Sequence, residues 1–109
     1  MLDPAIAASV SNYLHVLDKE GIAPRFGVIF GSQVSGKPHE WSDIDLVVVS
    51  PRFDQRPINY DDVDRLWRIA GRTDNRIEPI ACGEAQWDSD DSSTIIEIAR
   101  REGVRVAVA

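Results

Sequence analysis

Apolar side chains recur every three or four residues near the start of the chain, at Ile6, Val10, Tyr13, Leu14 and Leu17. That spacing gathers them on one stripe of a helix. Asp3 followed by Pro4 supplies an N-cap and a proline in the first turn, and Gly21 supplies a stop. The pattern then shortens. Arg25 to Phe30 is a β-rich run ended by Gly31, and Ser32 to Ser35 can open a short helix. Gly36-Lys37-Pro38-His39-Glu40 reads as a loop because Gly and Pro punctuate it. Asp43 to Ser50 predicts a strand, with Val47, Val48 and Val49 implying burial on both faces.

Pro51 to Pro57 reads as a loop carrying two arginines, and a helix follows over Tyr60 to Arg72. Its acids Asp61, Asp62 and Asp64 come first and Arg65, Arg68 and Arg72 later, an order that complements the helix dipole. Arg76 to Cys82 predicts a third strand, in which Glu78 sits among apolar neighbours before Pro79. A proline there suits an edge or a strand end. The acidic stretch Glu84 to Asp91 reads as a solvated loop. Ser92 or Ser93 can cap a last helix through Glu102, and Gly103 ends it before a strand over Val104 to Val108. The order α-β-β-α-β-α-β predicts an α/β fold, a small mixed sheet covered by helices.

Composition narrows the setting. The 109 residues predict a single domain, 1–109, with 43% hydrophobic and 28% charged positions, ordinary for a globular chain. No apolar run approaches the roughly 20 residues that span a bilayer, so no membrane partner is expected. The first residues lack the basic flank and apolar stretch of a signal peptide. One cysteine, Cys82, excludes an internal disulfide and makes a reducing, cytoplasmic setting the expectation. The net charge of −6 argues against direct binding of a nucleic-acid backbone, but not against a phosphorylated ligand that brings its own metal ions.

Candidate chemistry sits between residues 26 and 50. Gly31-Ser32 is followed, after ten residues, by Asp43-Ile44-Asp45 inside an apolar run. Alternate strand side chains share a face, so Asp43 and Asp45 project together while Ile44 and Leu46 point the other way. Two carboxylates at about 4 Å repel by about 1 kcal/mol in water and about 4 at a protein surface. A hard divalent cation such as Mg²⁺ would offset that repulsion. A bare Asp-x-Asp can equally be a solvated strand end; the upstream Gly-Ser at this spacing favours the site.

Gly31-Ser32, Asp43, Asp45 and the acid Glu78 on the next strand resemble the motif set of the DNA polymerase β-type nucleotidyltransferase superfamily. The chain is most similar to its minimal nucleotidyltransferase domains, whose motif is Gly-Ser, ten residues, Asp-x-Asp. The end of the last helix, Arg-Arg-Glu-Gly-Val at residues 100 to 104, resembles the usual end of such domains. The resemblance implies a polymerase β-like nucleotidyltransferase fold and transfer of a nucleoside monophosphate from a nucleoside triphosphate. It implies that Asp43, Asp45 and Glu78 hold two Mg²⁺ ions and are catalytic, and that Gly31 and Ser32 bind the nucleotide phosphates. Many relatives carry Asp where Glu78 stands. No Gly-Lys-Ser/Thr follows Gly31, so this is not a Walker A loop.

Other residues admit two readings. Lys37 could reach a phosphate or be solvated; Gln33 and Ser42 could touch the nucleotide or serve as turn and cap residues. His39 reads as exposed, His15 offers no metal partner, and Cys82 reads as a small buried apolar residue. Trp41 could wall a pocket or pack, and Trp67 and Trp87 read as packing. Glu78 could instead pair with Arg76.

The leading functional expectation is transfer of AMP from ATP to an acceptor hydroxyl. A chain this short leaves the acceptor site to another molecule. Minimal domains of this kind are similar to the antitoxin half of pairs with a helical HEPN ribonuclease toxin, which implies AMP transfer to a toxin tyrosine. The alternatives are a binding module that neutralises its partner without catalysis, and a catalytic subunit acting on a small molecule or RNA.

Overall fold

Two short β-runs meeting at Gly31 and Asp43 become neighbouring strands, and the rest of the chain is arranged around that pair. The computed structural model gives the fold of residues 2–35, 42–89 and 93–109. Helix α1 spans Pro4–Lys19, strand β1 Phe26–Phe30, helix α2 Ser32–Ser35 and strand β2 Ile44–Val49. A 3₁₀ turn at Pro51–Asp54 leads to helix α3, Tyr60–Thr73, and strand β3, Ile77–Cys82. Helix α4 spans Glu84–Ser89, helix α5 Thr94–Glu102 and strand β4 Val104–Val106.

The sheet is mixed, in the order β3-β2-β1-β4. β1 runs antiparallel to both β2 and β4, whereas β2 and β3 are parallel and joined through α3. A parallel pair needs a crossover, and α3 supplies it. β3 lies at the edge, which is where Pro79, with no N–H to donate, does least harm.

Strand alternation divides the core in two. Ile44, Leu46 and Val48 of β2 pack with Ile29 and Ile77 against α1 and α3, through Val10, Leu14, Leu17, Leu66, Ile69 and Ala70. Val47 and Val49 point to the opposite face, where Val28 and Cys82 meet Trp87 of α4 and Ile96 and Ala99 of α5. Asp43, Asp45 and Glu78 share the parity of this second face. Among the described residues, no helix is long and apolar enough to cross a membrane.

Helix ends follow the sequence. The Asp3 carboxylate accepts from the Ala5 N–H at 2.8 Å, Asn59 accepts from Asp61 and Asp62, and Ser93 accepts from Ile96. Ser92 lies outside the described residues. Three expectations change. Glu84–Ser89 is not a solvated loop but helix α4: Asp54 Oδ2 accepts from the Ala85 N–H at 3.0 Å, and Trp87 is buried in the second core. Burying an indole outweighs the acidic character of the segment. The strand predicted over Asp43–Ser50 begins one residue later, at Ile44, and ends at Val49. Likewise the last strand stops at Val106 rather than Val108.

Candidate active site

The turn that ends β1 lies against the second acid of β2. Phe30 and Asp45 are register partners, so Gly31 comes directly after the residue that faces Asp45. Gly31 has φ +76°, the left-handed region that favours glycine. A Cβ added there would overlap Asp45 Oδ2. The turn thus needs glycine twice, for its backbone conformation and for the space the carboxylate occupies. The Val34 N–H donates to the Gly31 carbonyl at 3.0 Å and starts α2, leaving Ser32 exposed at its first position.

Gln33 ties the turn to the chain that enters β2. Its side chain is buried, and Nε2 donates to the Ser42 carbonyl at 3.1 Å and to the Asp43 carbonyl at 3.2 Å. Both amide hydrogens are thereby used on the residues that present Asp43. The Ile44 N–H donates to the Arg76 carbonyl at 2.8 Å and fixes the same entry point to β3.

The third acid arrives through strand pairing. β2 and β3 run parallel with Asp45 opposite Glu78, so both side chains leave the sheet on one face. Asp43 is exposed, and Asp45 and Glu78 are half-buried. The Glu78 carboxyl is raised above its ordinary 4.5, first by desolvation, then by the charges of Asp43 and Asp45 and by hydrogen bonds shared with each. Every one of these influences favours the protonated form, and among the described residues no ion pair reaches the three acids. Arg76, considered as a partner for Glu78, pairs instead with Asp74 at 2.7 Å.

The carboxylates are neighbours without forming a closed cage. Among the described residues, no group of three or more His, Cys, Asp or Glu side chains is gathered so as to hold a metal ion. A cavity of about 390 Å³ bounded by Phe26, Asp54, Trp87 and Arg105 lies elsewhere, as does one of about 320 Å³ among Glu20, Arg65, Arg68 and Arg72. Lys37, His39 and Trp41 lie outside the described residues.

Among the other candidates, His15 turns Nδ1 toward the Ala109 carbonyl at 2.9 Å, Cys82 is buried, and Trp87 packs edge-on to Phe26 with centroids 5.8 Å apart. Trp67 is not packing material: it is 51% exposed. Asp62 gave no sign of a special role beyond its place in the first turn of α3. It is nonetheless buried and held by Arg52, whose Nε and Nη2 lie 3.1 and 2.9 Å from Oδ2, with Arg65 at 3.4 Å. Only the fold reveals that clamp, because Arg52 sits on the separate 3₁₀ turn.

The model of the nucleotidyltransferase domain family matches residues 17–101. The fold is similar to the crystal structure of a candidate nucleotidyltransferase from Sulfolobus solfataricus, with a TM-score of 0.61 and 16% identity. That likeness covers 91% of this chain and 77% of the other. No curated protein matches the sequence.

Proposed function

Because this chain belongs to the nucleotidyltransferase domain family, we propose that it transfers AMP from ATP, with Mg²⁺, to a hydroxyl of a partner protein. The observation that carries the reading is the meeting of Asp43, Asp45 and Glu78 on one sheet face beside the Gly31 turn. Three oxygen-donor carboxylates, two of which raise the proton affinity of the third, Glu78, form a site with no ion-pair partner among the described residues, and hard divalent cations suit such donors. Asp43, Asp45 and Glu78 are the residues that would hold the ions, their carboxylates drawing together from neighbouring positions that do not yet form a three-acid cage. The metal, when bound, supplies charge stabilisation for the attacking and leaving oxygens of an in-line displacement.

The chain's own residues do the rest. Gly31, having no side chain, lets a triphosphate approach the backbone, and the exposed Ser32 hydroxyl donates to a phosphate oxygen. Gln33 holds the Asp43 backbone in place. The acceptor hydroxyl oxygen bonds to the α-phosphorus as the bond to the bridging oxygen breaks and pyrophosphate leaves. The hydroxyl proton passes to Glu78 or to solvent. The acceptor in this reading is a tyrosine of a HEPN ribonuclease toxin, with this protein as its antitoxin.

The test is incubation with each labelled nucleoside triphosphate, Mg²⁺ and the protein encoded beside this one. One adenylate added to the partner is the expected result. Equal protection of the partner by wild type and by Asp43→Ala/Asp45→Ala would show neutralisation by binding alone.

A further inference from the structure

The outer face of α3 carries apolar groups that the monomer leaves uncovered. Tyr60 is 73% exposed and Trp67 51% exposed, and Ile58, just before the helix, is 42% exposed. Tyr60, Asp64, Trp67 and Gly71 are spaced four, three and four residues apart, the spacing of a seam along which two helices pack. Gly71 is a further mark of this face. A Cβ there would meet nothing within 4 Å, so the fold of the single chain does not require glycine at a position where it weakens a helix.

The charges beside the seam are ordered acid first and base last: Asp61 and Asp64, then Arg68 and Arg72. Such a face is complementary to itself when turned end for end, as an isologous two-fold contact requires. With the axis crossing α3 between Arg65 and Leu66, Tyr60 lies over Gly71 of a second copy and Trp67 over Asp64. Arg68 then comes beside Asp64 and Asp61 of the second copy, while Arg72 keeps its own partner, Glu20, at 2.6 Å. Asp64 joins no ion pair among the described residues, and Arg68 reaches only the exposed Asp61, at 3.4 Å.

We propose that α3 is a self-association surface, on which two copies of this chain pack antiparallel with Tyr60 seated over Gly71 of the other copy. One helix per copy buries less than the roughly 1,200 Å² of a stable interface, so the dimer is weak and depends on concentration. The inward residues of α3 share a core with Ile44 and Leu46, whereas Asp45 and Glu78 have the opposite strand parity, so pairing leaves the acid site open.

Sedimentation of the full chain over a concentration series tests this. The mass is expected to rise from 12.1 kDa toward twice that value. Asp64→Arg and Arg68→Asp each place like charges together and are each expected to weaken the dimer about tenfold or more, while the double variant, which re-forms the 64–68 pair but leaves position 68 against Asp61, binds more tightly than either single. Gly71→Gln gives a second reading with opposed signs: the dilute monomer melts higher, and the dimer weakens. A wild type that stays monomeric throughout overturns the proposal and leaves the face to a different protein. So does a dimer indifferent to all three substitutions, or a double variant no tighter than the singles.

Discussion

Gly31 leaves the space that Asp45 occupies: a side chain at the one would overlap the carboxylate Oδ2 of the other. Gly31→Ala is therefore expected to lose stability by about 1–3 kcal/mol, from the left-handed backbone and the displaced carboxylate together. Gly71→Ala, with open space around it, is expected to gain about 0.5–1 kcal/mol. Thermal melts of both variants check the contrast, and only the change at Gly31 should reduce transfer.

Asp43→Asn and Asp45→Asn relieve repulsion among the acids, which have no ion-pair partner among the described residues. In chelator, both variants are expected to melt at or above the wild-type temperature. Wild type should gain stability when Mg²⁺ and a nucleoside triphosphate are added, and the variants should not. A large drop in melting temperature for either variant in chelator would assign the aspartates a structural role instead.

Gln33→Met keeps the side-chain volume and removes both donors. Two backbone carbonyls lose their partner, at a cost of about 1–3 kcal/mol. Displacing the Asp43 backbone is expected to lower kcat with little change in KM for the nucleotide. Ser32→Ala should do the reverse, raising KM more than it lowers kcat.

Two acids should leave opposite marks on the pH dependence of stability. Asp74 falls from its ordinary 3.8 to about 2, chiefly through the hydrogen bond from the Arg76 side chain. Its native value lies below its unfolded one, so the stability it contributes is present above 3.8 and lost as pH falls toward 2. Glu78 is raised above 4.5, so the native state holds its proton more tightly. Stability is then lost as pH rises from 4.5 through the raised value. Denaturation midpoints against pH in chelator should show both slopes. Asp74→Asn should remove the acid-side loss and Glu78→Gln the other.

The elements themselves were legible because their signals are local. The stripe from Ile6 to Leu17, the caps at Asp3 and Ser93 and the valines of β2 each act within one or two turns or along one strand. Glu84–Ser89 was misread as a loop because its acids dominate composition. What folds it is Asp54, thirty-one residues away, together with the pocket that receives Trp87. Trp67 was misread in the other direction, since helical spacing shows that a residue lies on a helix but not which face finds a neighbour.

The spacing of Gly31-Ser32 from Asp43 and Asp45 and the period-two alternation around them were written in the sequence. They put both aspartates on one face of β2 with a tight turn upstream. The tertiary structure decided three further things: that Asp45 stands opposite Glu78, that Gln33 grips the backbone of residues 42 and 43, and that Arg76 turns to Asp74. The reason is physical. Side-chain direction along a strand follows from local geometry, whereas register between strands and the choice among competing charge partners depend on how the whole chain packs.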